Sequence, residues 1–357
     1  MNRWQNTWNL VLGLCAPLSR AMERLPEPEE WGSVGEVLQR LRFGALAYHN
    51  LKARRLLDEV PAKVADWLQA EHAHALARYH MVGAMVVPHL EAFAAEVEFI
   101  VLKGTAWAHT VYPAPHLRQS GDLDLLVRPR EMARAVAALE SLGFESDYGL
   151  GAEHGPTFRL KNASGQQVYI ELHPDVSRPG AYPHLRGWDV WDQPAATEVW
   201  GATFLTPMLE IGYVSTLFQL GWDLWQGGYA RYLIDHMHFD AAPGLNRGLA
   251  AEMTRACGVR GVEHFVRCMT LRAEWPPGPH RCGRLGAAVL RRWPDALLCH
   301  ARSRTRRSLR AVATVLLWDR WDDRARFLAT FLKNVPVRGA NRCRLILKAA
   351  TAPRQRD

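Results

Sequence analysis

The chain lacks paired cysteines. Its six (Cys15, Cys257, Cys268, Cys282, Cys299 and Cys343) are scattered through 357 residues without a CxxC spacing. That argues against a zinc site or a disulfide scaffold and for reduced thiols in a cytoplasmic protein. No apolar run approaches the roughly 18 residues needed to span a bilayer, so no integral membrane segment is expected. Residues 1–21 carry a short apolar patch but no h-region, and read as an amphipathic helix rather than a signal peptide. No internal repeat is present.

Acid is in deficit overall, with 36 Asp and Glu against 44 Lys and Arg. The excess is local. Residues 281–357 hold 19 Lys and Arg against five Asp and Glu, densest in 302–310 (RSRTRRSLR). Such a segment suits an anionic partner, although a solvated arginine-rich helical face is the plainer reading. Apolar residues make up 48% of the chain and Trp is plentiful at 14, enough for a sizeable core.

Patterning divides the chain into three parts: a helical region at 1–95, an α/β core at 96–204 and a helical region with a basic tail at 205–357. Residues 38–57 and 64–93 show helical apolar spacing. Their histidines (His72, His74, His80, His89) lack a ligand spacing and read as structural or surface groups. Residues 129–142 form an amphipathic helix closed by Gly143. Residues 176–204, rich in Pro, Gly and Trp, read as an irregular connector. Trp222 and Trp225 suit base stacking or, more plainly, a helix core.

The chemistry concentrates in VLKGTAWAHTVYPAPHLRQSGDLDLLV. An apolar run ends at Lys103-Gly104-Thr105, and a second carries Asp122 and Asp124. Residues i and i+2 of a strand share a face, so the two carboxylates converge. At about 4 Å and an effective dielectric near 20 their repulsion is roughly 4 kcal/mol, so a proton, an arginine or a cation must offset it. Arg118 is the nearest local counter-charge. Oxygen ligands favour Mg²⁺ or Mn²⁺. The Gly104 turn suits phosphate, because glycine lets backbone N–H groups approach an anion. Lys103 and Arg118 are candidates for phosphate charge.

Acid-x-acid pairs also occur at Glu27/Glu29, Glu96/Glu98 and Glu145/Asp147. Only Asp122/Asp124 lies in an apolar strand-like run after a glycine turn. A third acid sits in TFRLKNASGQQVYIELH, a β-hairpin around Asn162-Ala163-Ser164-Gly165. Its second arm carries Glu171 among apolar residues, and an acid there needs a partner. His173 shares its face and suits orienting a carboxylate or touching substrate. Further on, Arg231 and Asp235 stand at i,i+4, where they would pair with each other.

Gly-Thr, Asp-x-Asp, a helix and a lone strand acid together resemble the DNA polymerase β-like nucleotidyltransferase superfamily. The LKG…R…DxDLLV…ELH pattern, with RYLIDHMHFD at 231–240, is similar to a bacterial family of uncharacterised nucleotidyltransferases, over about residues 30–245. The resemblance implies an α/β (α+β) core with a small mixed sheet, flanked by helical regions. It implies Asp122, Asp124 and Glu171 as metal ligands and catalytic acids, with Mg²⁺ or Mn²⁺ as cofactor. It implies Gly104 and Thr105 as the phosphate turn, and Arg231 and Asp235 bordering the site. The donor expected is an NTP, ATP foremost. The acceptor stays open among a small molecule, peptide, protein or RNA, and the family's association with biosynthesis suggests peptide or natural-product tailoring. Two departures are visible: Gly-Thr stands in place of Gly-Ser or Gly-Gly, and the gap to Asp122 is long. Two other functions stay open. One is a non-catalytic nucleotide- or RNA-binding protein that keeps the fold. The other is transfer of a sugar or phosphoryl group from a nucleotide-linked donor.

Overall fold

The computed structural model describes residues 3–146, 155–176, 185–226 and 230–271. The basic segment 281–357 and the side chains of Trp222 and Trp225 lie outside the described residues.

The chain opens with helices α1 (Arg3–Cys15), α2 (Trp31–Leu41), α3 (Gly44–Ala53) and α4 (Ala62–Glu96). α2 buries one stripe, Trp31, Val34, Val37, Leu38 and Leu41, the i, i+3, i+4 spacing of an amphipathic helix. The expected continuous helix over 38–57 is broken at Arg42, which takes φ 59° and whose N–H closes α2 on Leu38 and Gln39 carbonyls. A non-glycine residue there costs about 1 kcal/mol, so tertiary contacts must hold it. Pro88 sits inside α4 without ending it.

A mixed sheet follows. Its strands are β1 (Phe99–Val101), β2 (Leu123–Val127), β3 (Glu145–Ser146), β4 (Thr157–Lys161) and β5 (Gln167–His173), in the order β1-β2-β5-β4-β3. β2 and β5 run parallel and the other neighbours antiparallel. All five residues of β2 are buried, as befits a strand covered on both faces. Between β1 and β2 lies α5 (Lys103–Thr110), and between β2 and β3 lies α6 (Met132–Ser141). The turn after α6 takes Gly143 at φ 88°, a left-handed stop that only glycine adopts freely. The hairpin β4–β5 turns at Gly165, φ 83°.

The stretch expected as an irregular connector holds a second hairpin, β6 (Ala195–Val199) and β7 (Ala202–Thr206). Its two central residues, Trp200 and Gly201, have φ 52° and 87°, the signs of a type I′ turn. Tryptophan at the first of these gives no turn signal, so the hairpin was invisible in the sequence.

Helices α7 (Leu209–Gln226), α8 (Ala230–Ala241), α9 (Arg247–Ala256) and α10 (Arg260–Leu271) complete the described chain. Asn246 caps α9 by accepting from the Leu249 N–H at 3.1 Å. α5 packs on β2 on one side and on α7 on another. Trp107 of α5 meets Tyr232 and Phe239 of α8 edge-on, at 6.0 and 5.9 Å. Burying such a side chain contributes about 1.5–3 kcal/mol. α5 is therefore clamped between the sheet and the late helices, which holds its first turn at the open end of β2.

Candidate active site

The parallel register of β2 and β5 sets Asp124 beside Glu171 and Leu126 beside His173. Glu171 and His173 share a face of β5. Asp124 is 4% exposed. Its Oδ1 accepts from Lys103 Nζ at 2.8 Å and lies 2.7 Å from His173 Nε2. The imidazole therefore carries its proton toward Asp124, since a carboxylate only accepts. His173 Nε2 is also 3.7 Å from Glu171 Oε1. Asp124, Glu171 and His173 each offer one ligand atom, all within 4.8 Å of one another. The sequence placed Asp122 in this group. Instead Asp122 precedes β2, exposed at the mouth, with Ser120 Oγ donating to its Oδ1 at 3.4 Å.

The charges are unequal. Burial opposes ionisation of Asp124, but Lys103 and His173 outweigh it and hold its pKa below the usual carboxylate range. Asp122 is pushed up, first by the charge of Asp124 and then by desolvation. Glu171 is pushed up by burial, against the pull of His173 and Lys103. One acid is thus held ionised while its two neighbours resist ionisation, the state in which an added cation gains most. The donor set fits a hard cation through the carboxylates of Asp124 and Glu171, and the imidazole beside them suits Mn²⁺ better than Mg²⁺.

α5 begins one residue earlier than the Gly-Thr pair. Lys103 opens it at φ 46°, which bends its side chain back to Asp124. Gly104 is needed for close approach: a Cβ there would stand 2.7 Å from Ser120 Oγ and 3.2 Å from Arg118 Nη1. Thr105 is buried behind it at 5% exposure.

Arg118 is not the counter-charge of the aspartate pair. It is 3% exposed and binds Asp235, itself 0% exposed, with two parallel hydrogen bonds: Nε to Oδ1 at 2.7 Å and Nη2 to Oδ2 at 2.9 Å. Tyr112 donates to the same Oδ1 at 2.6 Å. Asp235 therefore pairs with Arg118 and not with Arg231. Arg231 turns away and donates to the Leu41 carbonyl at 3.3 Å. Helical spacing proposed the wrong partner because Arg118, 117 residues away, offers a planar two-bond fit.

Beside Asp122 opens a cleft whose walls include Arg78, Tyr79, His109, Thr105, Ser120 and Trp200. Its volume is about 60 Å³, room for several waters at about 10–15 Å³ each. Tyr79, His109 and Trp200 pack mutually, with ring centroids 5.7 to 6.3 Å apart. Burial lowers His109 to about 4, so it is neutral at pH 7. His72 and His116 face each other farther along, Nε2 to Nε2 at 3.1 Å. Of the non-glycine residues at positive φ, Arg42, Lys103 and Trp200 all border this region. Such conformations gather where a side chain must be aimed. Arg42, Arg78, Ser120, Tyr112 and Trp200 escaped the sequence reading because no local pattern marks them.

An acid cluster thus stands at the end of a parallel strand pair, beside the start of α5 and a largely apolar cleft. Residues 27–272 match the family described as uncharacterised nucleotidyltransferase, and the chain belongs to that family. The mixed α/β fold with its small sheet agrees with membership. No curated protein and no solved structure matches the chain. No helix among the described residues is long and apolar enough to cross a membrane.

Proposed function

We propose that this nucleotidyltransferase moves a nucleoside monophosphate from an NTP, ATP foremost, onto a hydroxyl or phosphate of its acceptor. The observation that carries the reading is the Asp124–Glu171 register with Asp122 at its mouth and the start of α5 alongside. Asp122, Asp124 and Glu171 would hold Mg²⁺ or Mn²⁺, with His173 adjoining. Bound there, the cation supplies charge stabilisation for the attacking and leaving oxygens.

In the transfer, a bond forms between the acceptor oxygen and the α-phosphorus. The bond to the bridging oxygen breaks and pyrophosphate leaves. The acceptor proton passes to Glu171, whose raised pKa suits a general base. His173 orients Asp124 by its 2.7 Å hydrogen bond. Lys103 exchanges its contact with Asp124 for the phosphates, a short swing for a flexible ammonium.

A second reading has one observation behind it. Lys103 Nζ already occupies Asp124 Oδ1 at 2.8 Å, as a fixed internal cation would in a nucleotide-binding protein without catalysis. Calorimetric titration of the four NTPs, with and without Mg²⁺, into wild type and Asp122→Asn/Asp124→Asn separates the two. Metal-dependent binding lost in the double variant supports transfer. Binding that ignores both metal and substitution supports the second reading.

A further inference from the structure

Three arginines from separate helical segments meet at the mouth of the site. Arg42 follows α2, Arg78 lies on α4 and Arg231 on α8. Arg42 Nη1 lies 3.8 Å from the Cβ position of Gly121, the residue before Asp122. Arg78 lines the same cleft as Gly121 and Asp122. Arg231 reaches the Leu41 carbonyl, next to Arg42, at 3.3 Å. None of the three forms an ion pair among the described residues.

Their charges are felt mutually. Burial lowers Arg231 to about 10, with Arg118 and Arg42 adding to the effect and Asp235 opposing it. Arg78 is lowered by burial and then by Arg42. Like charges crowded together cost free energy that an anion offsets; Asp235 and Asp122 act on Arg231 alone of the three. Of the two cations expected to meet phosphate, Arg118 is sealed on Asp235, and Lys103 rests on Asp124 until it swings to the phosphates. Arg78 lines the cleft together with the Thr105 and Ser120 hydroxyls, among apolar side chains such as Val82, Leu123 and Val168. Guanidinium forks with hydroxyl donors are the chemistry that receives several phosphoryl oxygens at once.

We infer that Arg42, Arg78 and Arg231 form a condensed-phosphate subsite, which takes the triphosphate tail of the donor beside Asp122. The inference rests on the nucleotidyl-transfer reading for the identity of the donor. The subsite itself needs no metal, which makes the two separable.

The test is calorimetric titration of sodium tripolyphosphate, in EDTA, into the full chain and two variants. Arg42→Gln/Arg78→Gln alters two side chains that reach solvent, and far-ultraviolet dichroism with thermal unfolding checks its fold. The expected results are weakening by about tenfold or more, the size of a lost charged hydrogen bond, and displacement of tripolyphosphate by ATP. Asp122→Asn/Asp124→Asn should keep or strengthen the binding, because it removes negative charge beside the subsite and releases Lys103; weaker binding in this variant would count against the subsite. Equal binding by wild type and the arginine variant would place the polyphosphate elsewhere on the chain and overturn the subsite. So would tripolyphosphate that ATP cannot displace. Failure of Mg²⁺-dependent NTP binding, with tripolyphosphate still bound and still arginine-dependent, would remove the transfer reading and leave the subsite standing.

Discussion

Two charged networks stand on either side of the loop 118–122, and they are built to opposite ends. Arg118, Asp235 and Tyr112 form a closed set: every charge is matched and the pair is sealed at 3% and 0% exposure. Asp122, Asp124, Glu171, Lys103 and His173 form an open set. Asp124 is satisfied, while Asp122 and Glu171 keep raised pKa values, and one atom each of Asp124, Glu171 and His173 lies within 4.8 Å of the others. The closed set ties α8 to the loop that carries Asp122, and the open set leaves charge for a ligand to complete. A buried pair is weak evidence of net stabilisation. Its value here is that it fixes where the open set points.

Breaking the closed set should cost the most. Asp235→Ala leaves the Arg118 guanidinium buried without a counter-ion, and a loss of about 3–5 kcal/mol is expected, measured by urea denaturation. A loss below 1 kcal/mol would mean that Arg118 reaches water and the network is not sealed. The mirror experiment is Asp122→Asn in the open set. Asp122 is exposed and resists ionisation, so unfolding stability should move by no more than about 0.5 kcal/mol. Transfer activity should fall by about 10²–10³, the usual loss of one electrostatic contact made in the transition state. Chelation of the divalent metal should reproduce the activity loss in wild type.

A third effect, smaller than either loss above, concerns pH on the closed side. His238 stacks on Tyr112 at 4.1 Å and lies 3.1 Å from the Cys15 carbonyl, where its ring N–H donates. Burial lowers it to about 4, against about 6.5 in an unfolded chain. The unfolded state therefore binds the proton more readily between these values, and stability falls as pH falls. The contribution is fully present above about pH 6.5 and fades on approach to pH 4. By pH 5 the loss should be about 2 kcal/mol. Denaturation at pH 7 and pH 5 should show this component in wild type and not in His238→Gln.

Features set by neighbours in the chain were legible in the sequence. The stop after α6 at Gly143, the hairpin around Gly165 and the apolar runs carrying Asp124 and Glu171 follow from turn chemistry and side-chain alternation, which act over a few residues. The helix expected over 38–57 was not legible as two, because Arg42 gives no stop signal and takes its left-handed φ under tertiary contact. The β6–β7 hairpin was hidden for the same reason, with a tryptophan in a position that usually holds Asn or Gly.

What the sequence determined by itself is the local inventory: the elements of the core, the three acids and the glycine that lets a loop approach. Tertiary structure decided the partnerships. It matched Asp235 to Arg118 instead of Arg231, gave Asp124 both Lys103 and His173, and gathered Arg42, Arg78 and Arg231 at one mouth. Periodicity and turn preference are properties of adjacent residues, whereas charge pairing depends on distance in space. A separation of 117 positions is erased only when the chain folds.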